Sequence, residues 1–273
     1  MENLVDAFIP CTYKDFNKLE FLLPSLVRYV KELKDIYLCV PDKNTIKFPE
    51  EIAGHKIFVY SDFDILPNAN IDKCKFRKNW IFQQLLKLCQ NVTTTEYNLV
   101  IDSDLVLVND FPLFKDGKPI QYIGPYQNVK CYFNFFERFS CGDFGKVYPE
   151  SFTADLMLPR RKFIEEMLIR YGYNVDSFVD FTLENTLYTG DEINGYFINE
   201  QELYASYVEK YHPNVYVKEK QRIIENKKFQ MSQMQLAYTK EEMQKFLETV
   251  NREKYNVVKF QAGCVNTDVR WKK

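Results

Sequence analysis

The sequence has no C-x-x-C pair, no surplus of either charge and no long apolar run. Its seven cysteines, Cys11, Cys39, Cys74, Cys89, Cys131, Cys141 and Cys264, are odd in number and widely scattered, which argues against a disulfide framework or a zinc site and points to reduced thiols. Lys and Arg number 36 against 38 Asp and Glu, a net charge of −2, so no basic field exists to hold nucleic acid by counterion release. No window approaches the roughly 18 consecutive apolar residues of a membrane span. Residues 1–11 show no basic stretch leading into a long apolar one, so a cytoplasmic, unsecreted protein is expected. The sequon Asn91-Val92-Thr93 is then expected to carry no glycan. Tryptophan is scarce, at two residues, but 23 Phe and 19 Tyr bring the aromatics to 16%, an excess that a Phe-packed core accounts for.

Hydrophobic residues make up 46% and charged residues 27% of the 273 positions, the balance of a globular chain with a sizeable core. The length suits one large α/β domain with a small appendage. Leu4 to Ile9 is a short apolar run, and Phe16 to Leu33 then carries Leu19, Leu22, Leu23, Leu26, Val27, Val30 and Leu33 at helical spacing. Ile36–Val40 and Lys56–Tyr60 have the length of buried strands and stop at Pro41-Asp42 and Ser61-Asp62. Cys74 to Cys89 carries a helical stripe, and Tyr97–Ile101 reads as a fourth strand. Strands alternating with helices predict a mostly parallel sheet flanked by helices, whose ligands sit beyond the carboxyl ends of the strands.

At one such end stands Asp102-Ser103-Asp104, followed by the extended apolar segment Leu105–Val108. Two carboxylates separated by one small residue converge where the backbone kinks, and hard oxygen donors of this kind suit Mn²⁺ or Mg²⁺ carrying a diphosphate. Asp62-Phe63-Asp64 repeats the pattern but opens a polar loop with no strand resuming behind it, so the metal is assigned to Asp102 and Asp104.

A strand-flanked D-x-D resembles that of sugar-nucleotide-dependent glycosyltransferases of the GT-A (Rossmann-like) fold, in particular the small bacterial and large-DNA-virus enzymes. The resemblance also rests on Ile9-Pro10-Cys11-Thr12, on Asp64-Ile65-Leu66-Pro67 ahead of Trp80-x-x-Gln83-Gln84-Leu85-Leu86-Lys87-Leu88, on Ser151–Met157 and on Glu200-Gln201-Glu202-Leu203-Tyr204. It covers residues 4 to 215. Asn79 and Asn199 depart from the Gly and Ser usual before Trp80 and Glu200, which puts the acceptor in question rather than the chemistry. The likeness implies a nucleotide-binding part at 1–112 and an acceptor part at 113–215, and the charged, then amphipathic stretch at 216–273 reads as a C-terminal helical appendage packing on the same domain.

The function expected from this resemblance is metal-dependent transfer of a sugar from a nucleotide diphosphate sugar, UDP-linked for preference, to a hydroxyl of a glycan or glycoconjugate. In it Asp102 and Ser103 contact ribose or sugar and Asp104 ligates the metal, Asp64 falls on a donor-contact motif, and Asp155 falls where a donor or acceptor contact is implied, unless it is a buried acid paired by Arg160 or Arg161. Thr12, Tyr13 and Asp15 follow the first strand, where such enzymes hold the base. Lys87, sharing a helical face with Gln83 and next to Gln84, would reach the diphosphate while the glutamines hold the sugar, unless this face is merely solvated. Inversion, the preferred course, needs a carboxylate base. Glu200, expected to face out of a helix N-terminus towards a cleft, ranks first and Asp191 second, each against the plain alternative of a first-turn acid stabilised by the helix dipole. His212 is open to a role as third metal ligand, but beside Pro213 it reads, like His55 after a turn glycine, as an ordinary exposed histidine, and neither is claimed for the site.

A sugar-phosphate nucleotidyltransferase would need a Gly-rich phosphate loop after the first strand, and Ile9–Tyr13 has no glycine. A non-catalytic carbohydrate-binding protein would be marked by loss of a metal carboxylate, and both are present. Past residue 215, Thr239–Glu242 opens an amphipathic helix and Val257–Gln261 reads as a last strand. The assembly expected is a monomer or weak homodimer.

Overall fold

The computed structural model describes residues 3–45, 47–125, 129–188, 194–230 and 238–264. In chain order the strands are β1 (Val5–Pro10), β2 (Leu33–Val40), β3 (Glu51–Ile52), β4 (His55–Ser61), β5 (Asn98–Ile101), β6 (Leu105–Leu107), β7 (Phe114–Lys115), β8 (Lys118–Ile123), β9 (Leu156–Met157), β10 (Val217–Lys220), β11 (Ile223–Gln230) and β12 (Val257–Cys264). The helices are α1 (Phe16–Tyr29), α2 (Asp62–Ile65), α3 (Lys78–Cys89), α4 (Lys130–Phe139), α5 (Arg161–Arg170), α6 (Val175–Glu184), α7 (Glu200–Tyr211) and α8 (Lys240–Thr249).

The main sheet runs β3-β4-β2-β1-β5-β9, with β4, β2, β1 and β5 mutually parallel and the two edge strands antiparallel. This is the mostly parallel, helix-flanked sheet expected. Alternation along the buried strands sorts side chains between two faces. Ala7 and Ile9 of β1 pack with Leu19, Leu22 and Leu26 of α1, while Phe8 joins Ile81 and Leu85 of α3 and Leu203 and Tyr204 of α7. Helix α3 therefore lies between β1 and α7, and nearly all of its last nine residues are buried.

Two boundaries differ from expectation for local reasons. Helix α1 stops at Tyr29, because Val30 is extended and the chain reverses into β2 already at Leu33. Helix α3 starts at Lys78 rather than near Cys74, because Arg77 adopts a left-handed backbone (φ 43°) and caps it.

Beyond residue 215 the chain contributes more than the expected helix. Strand β10 pairs with β8, and β12 lies between β11 and β6, antiparallel to β6. The apolar Leu105–Val108 segment thus turns out of the main sheet to meet the C-terminal strand. The six cysteines whose side chains are described are free, five of them buried. Among the described residues no helix is long and apolar enough to cross a membrane.

Candidate active site

Strands β1 and β5 are parallel neighbours, so Cys11–Thr12 and Asp102–Asp104 emerge side by side at one sheet edge, with the Cys11 thiol bonded to Ser103. Helix α3 runs beneath this edge. Because α3 is buried nearly all round, Lys87 has no route to water and needs partners within the protein. It finds two. Its Nζ lies 2.5 Å from Asp102 Oδ1 and 3.1 Å from Glu200 Oε1. Burial alone would lower the Lys87 pKa; the charges and hydrogen bonds of Asp102 and Glu200 more than reverse it, and the ammonium stays charged.

Each acid of the pair is held from a different side. The Asp102 amide donates to the Asp155 carbonyl at 3.0 Å, and its side chain keeps 22% exposure. Burial raises the Asp102 pKa, Lys87 pulls it down, and Asp155 and Glu200 push it up again. Burial pushes Asp104 up to about 6 against the pull of Lys259 and Lys18. Asp104 Oδ1 is buried without a hydrogen-bond partner, as is Glu200 Oε2.

Lys259, on β12, closes the cluster. Its Nζ pairs with Asp155 Oδ2 at 2.7 Å, and the next residue, Phe260, donates its amide to the Asp104 carbonyl at 2.8 Å. Asp155 itself sits in the left-handed region (φ 56°), a conformation Asp tolerates better than most residues. Its loop presses against the end of β8 so closely that a Cβ on Gly124 would fall 1.5 Å from the Thr153 carbonyl oxygen. Four carboxylates, Asp102, Asp104, Asp155 and Glu200, thus share a region with the ammoniums of Lys87 and Lys259, leaving two negative charges unbalanced.

The structure gathers Lys87, Asp102, Ser103, Asp104, Asp155 and Glu200, and corrects several of their settings. Glu200 does not face outward: at 1% exposure it turns into the protein and pairs with Lys87. Glu202 is buried too, on another side of α7, where Oε1 accepts from the Ser151 hydroxyl and the Phe152 and Thr153 amides. Lys87 and Gln84 are buried, so α3 is not a solvated face there; Gln83 is half-buried. Asp155 pairs with Lys259, while Arg160 pairs with Glu96 and Arg161 donates to the Thr93 carbonyl.

Thr12 and Asp15 sit at the same sheet edge, but Asp15 is already engaged by Lys18 at 2.6 Å. Tyr13 is 44% exposed beside them. Asp64 lies apart on the surface, bonded to Lys43 Nζ and the Ser61 amide at 2.8 Å each. Asp191 falls outside the described residues. His212 stacks on Phe163 and meets Glu166, away from the acid pair. Lys259 was missed, although a lysine inside the apolar run Val257-Val258-Lys259-Phe260 is the signal that marks it.

Fold and site together define an α/β protein with a buried acid–lysine cluster at the carboxyl end of a parallel sheet. The chain belongs to the family described as a family of unknown function (DUF6492), which it matches over residues 2–139. No curated protein matches it. Among similar solved structures is the apo form of mouse Xyloside xylosyltransferase 1, at 14% identity and a TM-score of 0.44, covering 81% of this chain and 88% of that one. A likeness this distant carries no argument about activity.

Proposed function

We propose that the protein is a glycosyltransferase of the GT-A type, moving a sugar from a nucleotide diphosphate sugar, UDP-linked for preference, to a hydroxyl of a glycan or glycoconjugate. The observation that carries this reading is the strand-end pair Asp102 and Asp104, set against Lys87 and Glu200 with buried oxygens left over. Such unsatisfied oxygens cost stability unless a ligand uses them.

The residues fit a divalent cation. Asp104 Oδ1 lacks a partner, the donors are hard oxygens, and the cluster's charge surplus equals that of one such ion. Among the described residues no three His, Cys, Asp or Glu side chains converge as a metal cage, so an ion on this pair would need further ligands from diphosphate and water. Asp102 and Asp104 would hold Mn²⁺ or Mg²⁺, and the ion would neutralise the departing diphosphate.

The chain's own groups do the rest. Lys87 holds Asp102 and Glu200 in register, and Thr12, Tyr13 and Asp15, which follow β1 at the same sheet edge, would meet the nucleoside. In an inverting transfer the acceptor oxygen bonds to the anomeric carbon, the bond from that carbon to the diphosphate oxygen breaks, and the hydroxyl proton passes to Glu200 Oε2. Glu200 is 1% exposed, so the acceptor hydroxyl reaches Oε2 only where donor binding opens the site to it.

Calorimetric titration with UDP, GDP, CMP and their sugar conjugates, with Mn²⁺ and then with EDTA, tests the reading. One nucleotide should bind and be released by EDTA; a folded sample silent to all of them would overturn it. Glu200→Gln should leave donor binding intact while transfer falls by about 100-fold or more. Unimpaired turnover would remove the base role from Glu200.

A further inference from the structure

Phe197 lies two residues ahead of the α7 cap, Asn199, and three ahead of Glu200. Four aromatic rings surround it: Phe76 at 5.4 Å, Trp80 at 5.7 Å, Tyr132 at 5.3 Å and Tyr188 at 6.2 Å between centroids. They come from three separate stretches of the chain, around 76–80, 132 and 188, so the grouping belongs to the fold and not to one amphipathic helix.

Not all of these rings are core. Tyr188 is 41% exposed although it stacks on Phe76 at 4.8 Å, and Phe76, Trp80 and Tyr132 each keep part of their surface open. Polar groups rim one side. The Arg77 guanidinium lies 4.7 Å over the Trp80 ring. The Tyr132 hydroxyl bonds to Asn199 and feels the charges of both Glu200 and Arg77. The aromatic wall thus ends at the carboxylate the proposed transfer uses.

Apolar ring faces bordered by a cation and hydroxyls match a pyranose, whose C–H face is apolar and whose edge carries hydroxyls. Resting on the glycosyltransferase reading, we infer that Trp80, Tyr132 and Tyr188, backed by Phe76 and Phe197 and rimmed by Arg77, form the acceptor subsite. Its occupant is a glycan ring laid against the aromatic faces with one hydroxyl directed to Glu200.

The chain has two tryptophans, so Trp271→Phe leaves Trp80 as the single indole reporter. In that protein, loaded with UDP and Mn²⁺, titration with maltotriose, cellotriose or xylotriose should give a saturable change in Trp80 fluorescence. Tyr188→Ala, at an exposed position, should weaken that trisaccharide's binding by about tenfold or more while leaving UDP affinity unchanged. UDP binding with no response of Trp80 to any trisaccharide would overturn the subsite, as would full trisaccharide affinity in Tyr188→Ala; either would leave the transferase reading standing. Absence of UDP binding would instead overturn the transferase reading, and the acceptor role with it, whatever Trp80 reports.

Discussion

Asp102-Ser103-Asp104 and Asp62-Phe63-Asp64 carry the same spacing of acids, and both follow a strand of the same parallel sheet. The first pair comes off β5, beside β1, where helices cover it from below, a loop from the side and β12 from beyond. The second comes off β4, towards the sheet's margin. There Asp64 bonds to Lys43 and the Ser61 amide in the open, and Asp62 accepts from the Cys39 thiol at 3.2 Å. The pattern alone therefore carries little. What separates the two is how many elements converge on the strand end, because only convergence supplies buried lysines to balance buried acids.

The largest contrast should appear when each pair loses its lysine. Lys87→Met leaves Asp102 and Glu200 facing each other in the interior and should destabilise the fold by about 3–5 kcal/mol in chemical denaturation. Lys43→Met removes an exposed pair and should cost less than about 1 kcal/mol. Similar losses for both would erase the distinction.

Next comes ligand binding. Asp104→Asn should weaken Mn²⁺-dependent nucleotide binding by about 100-fold or more in calorimetry, beyond the usual cost of losing a supporting contact. Asp64→Asn should leave it unchanged, and a reversed outcome would move the metal to the other pair.

The smallest effect concerns Asp62. Burial raises its pKa from 3.8 to about 6, so between those values the folded state holds a proton the unfolded state has released. Stability therefore falls as pH rises through that window, and above it a constant penalty remains. Asp62→Asn should stabilise the protein at pH 8 by about 1 kcal/mol, the full value of that rise being reduced by solvent at this half-buried side chain, and by nothing at pH 4, read from denaturation midpoints at the two pH values. Equal effects at both would mean that the carboxyl is not held away from water.

The central strands were legible in the sequence because each is a short apolar run closed by a turn signal. The acid pair was legible because two apolar segments flank it. Burial of Lys87 was not, since nothing in the α3 sequence says that α6 and α7 will pack over it. Glu200 was placed at the correct helix start but pointed the wrong way, because helical periodicity gives the angle between Glu200 and Glu202 and not which one turns to the sheet. Lys259 was beyond reach for a different reason: its partner Asp155 is some hundred residues earlier, and only the pairing of β12 with β6 brings the two together.

That pairing gives the site an order in time. The acid pair, its supporting helix and the Asp155 loop are all synthesised well before β12, the last strand of the described chain. Until residues 257–260 arrive, the Lys259 ammonium and the Phe260 amide that meet Asp155 and the Asp104 carbonyl are missing. A cluster that includes Lys259 is therefore complete only once β12 has been made. A chain that ends short of Lys259 keeps every residue of the D-x-D motif and still lacks the strand that finishes it.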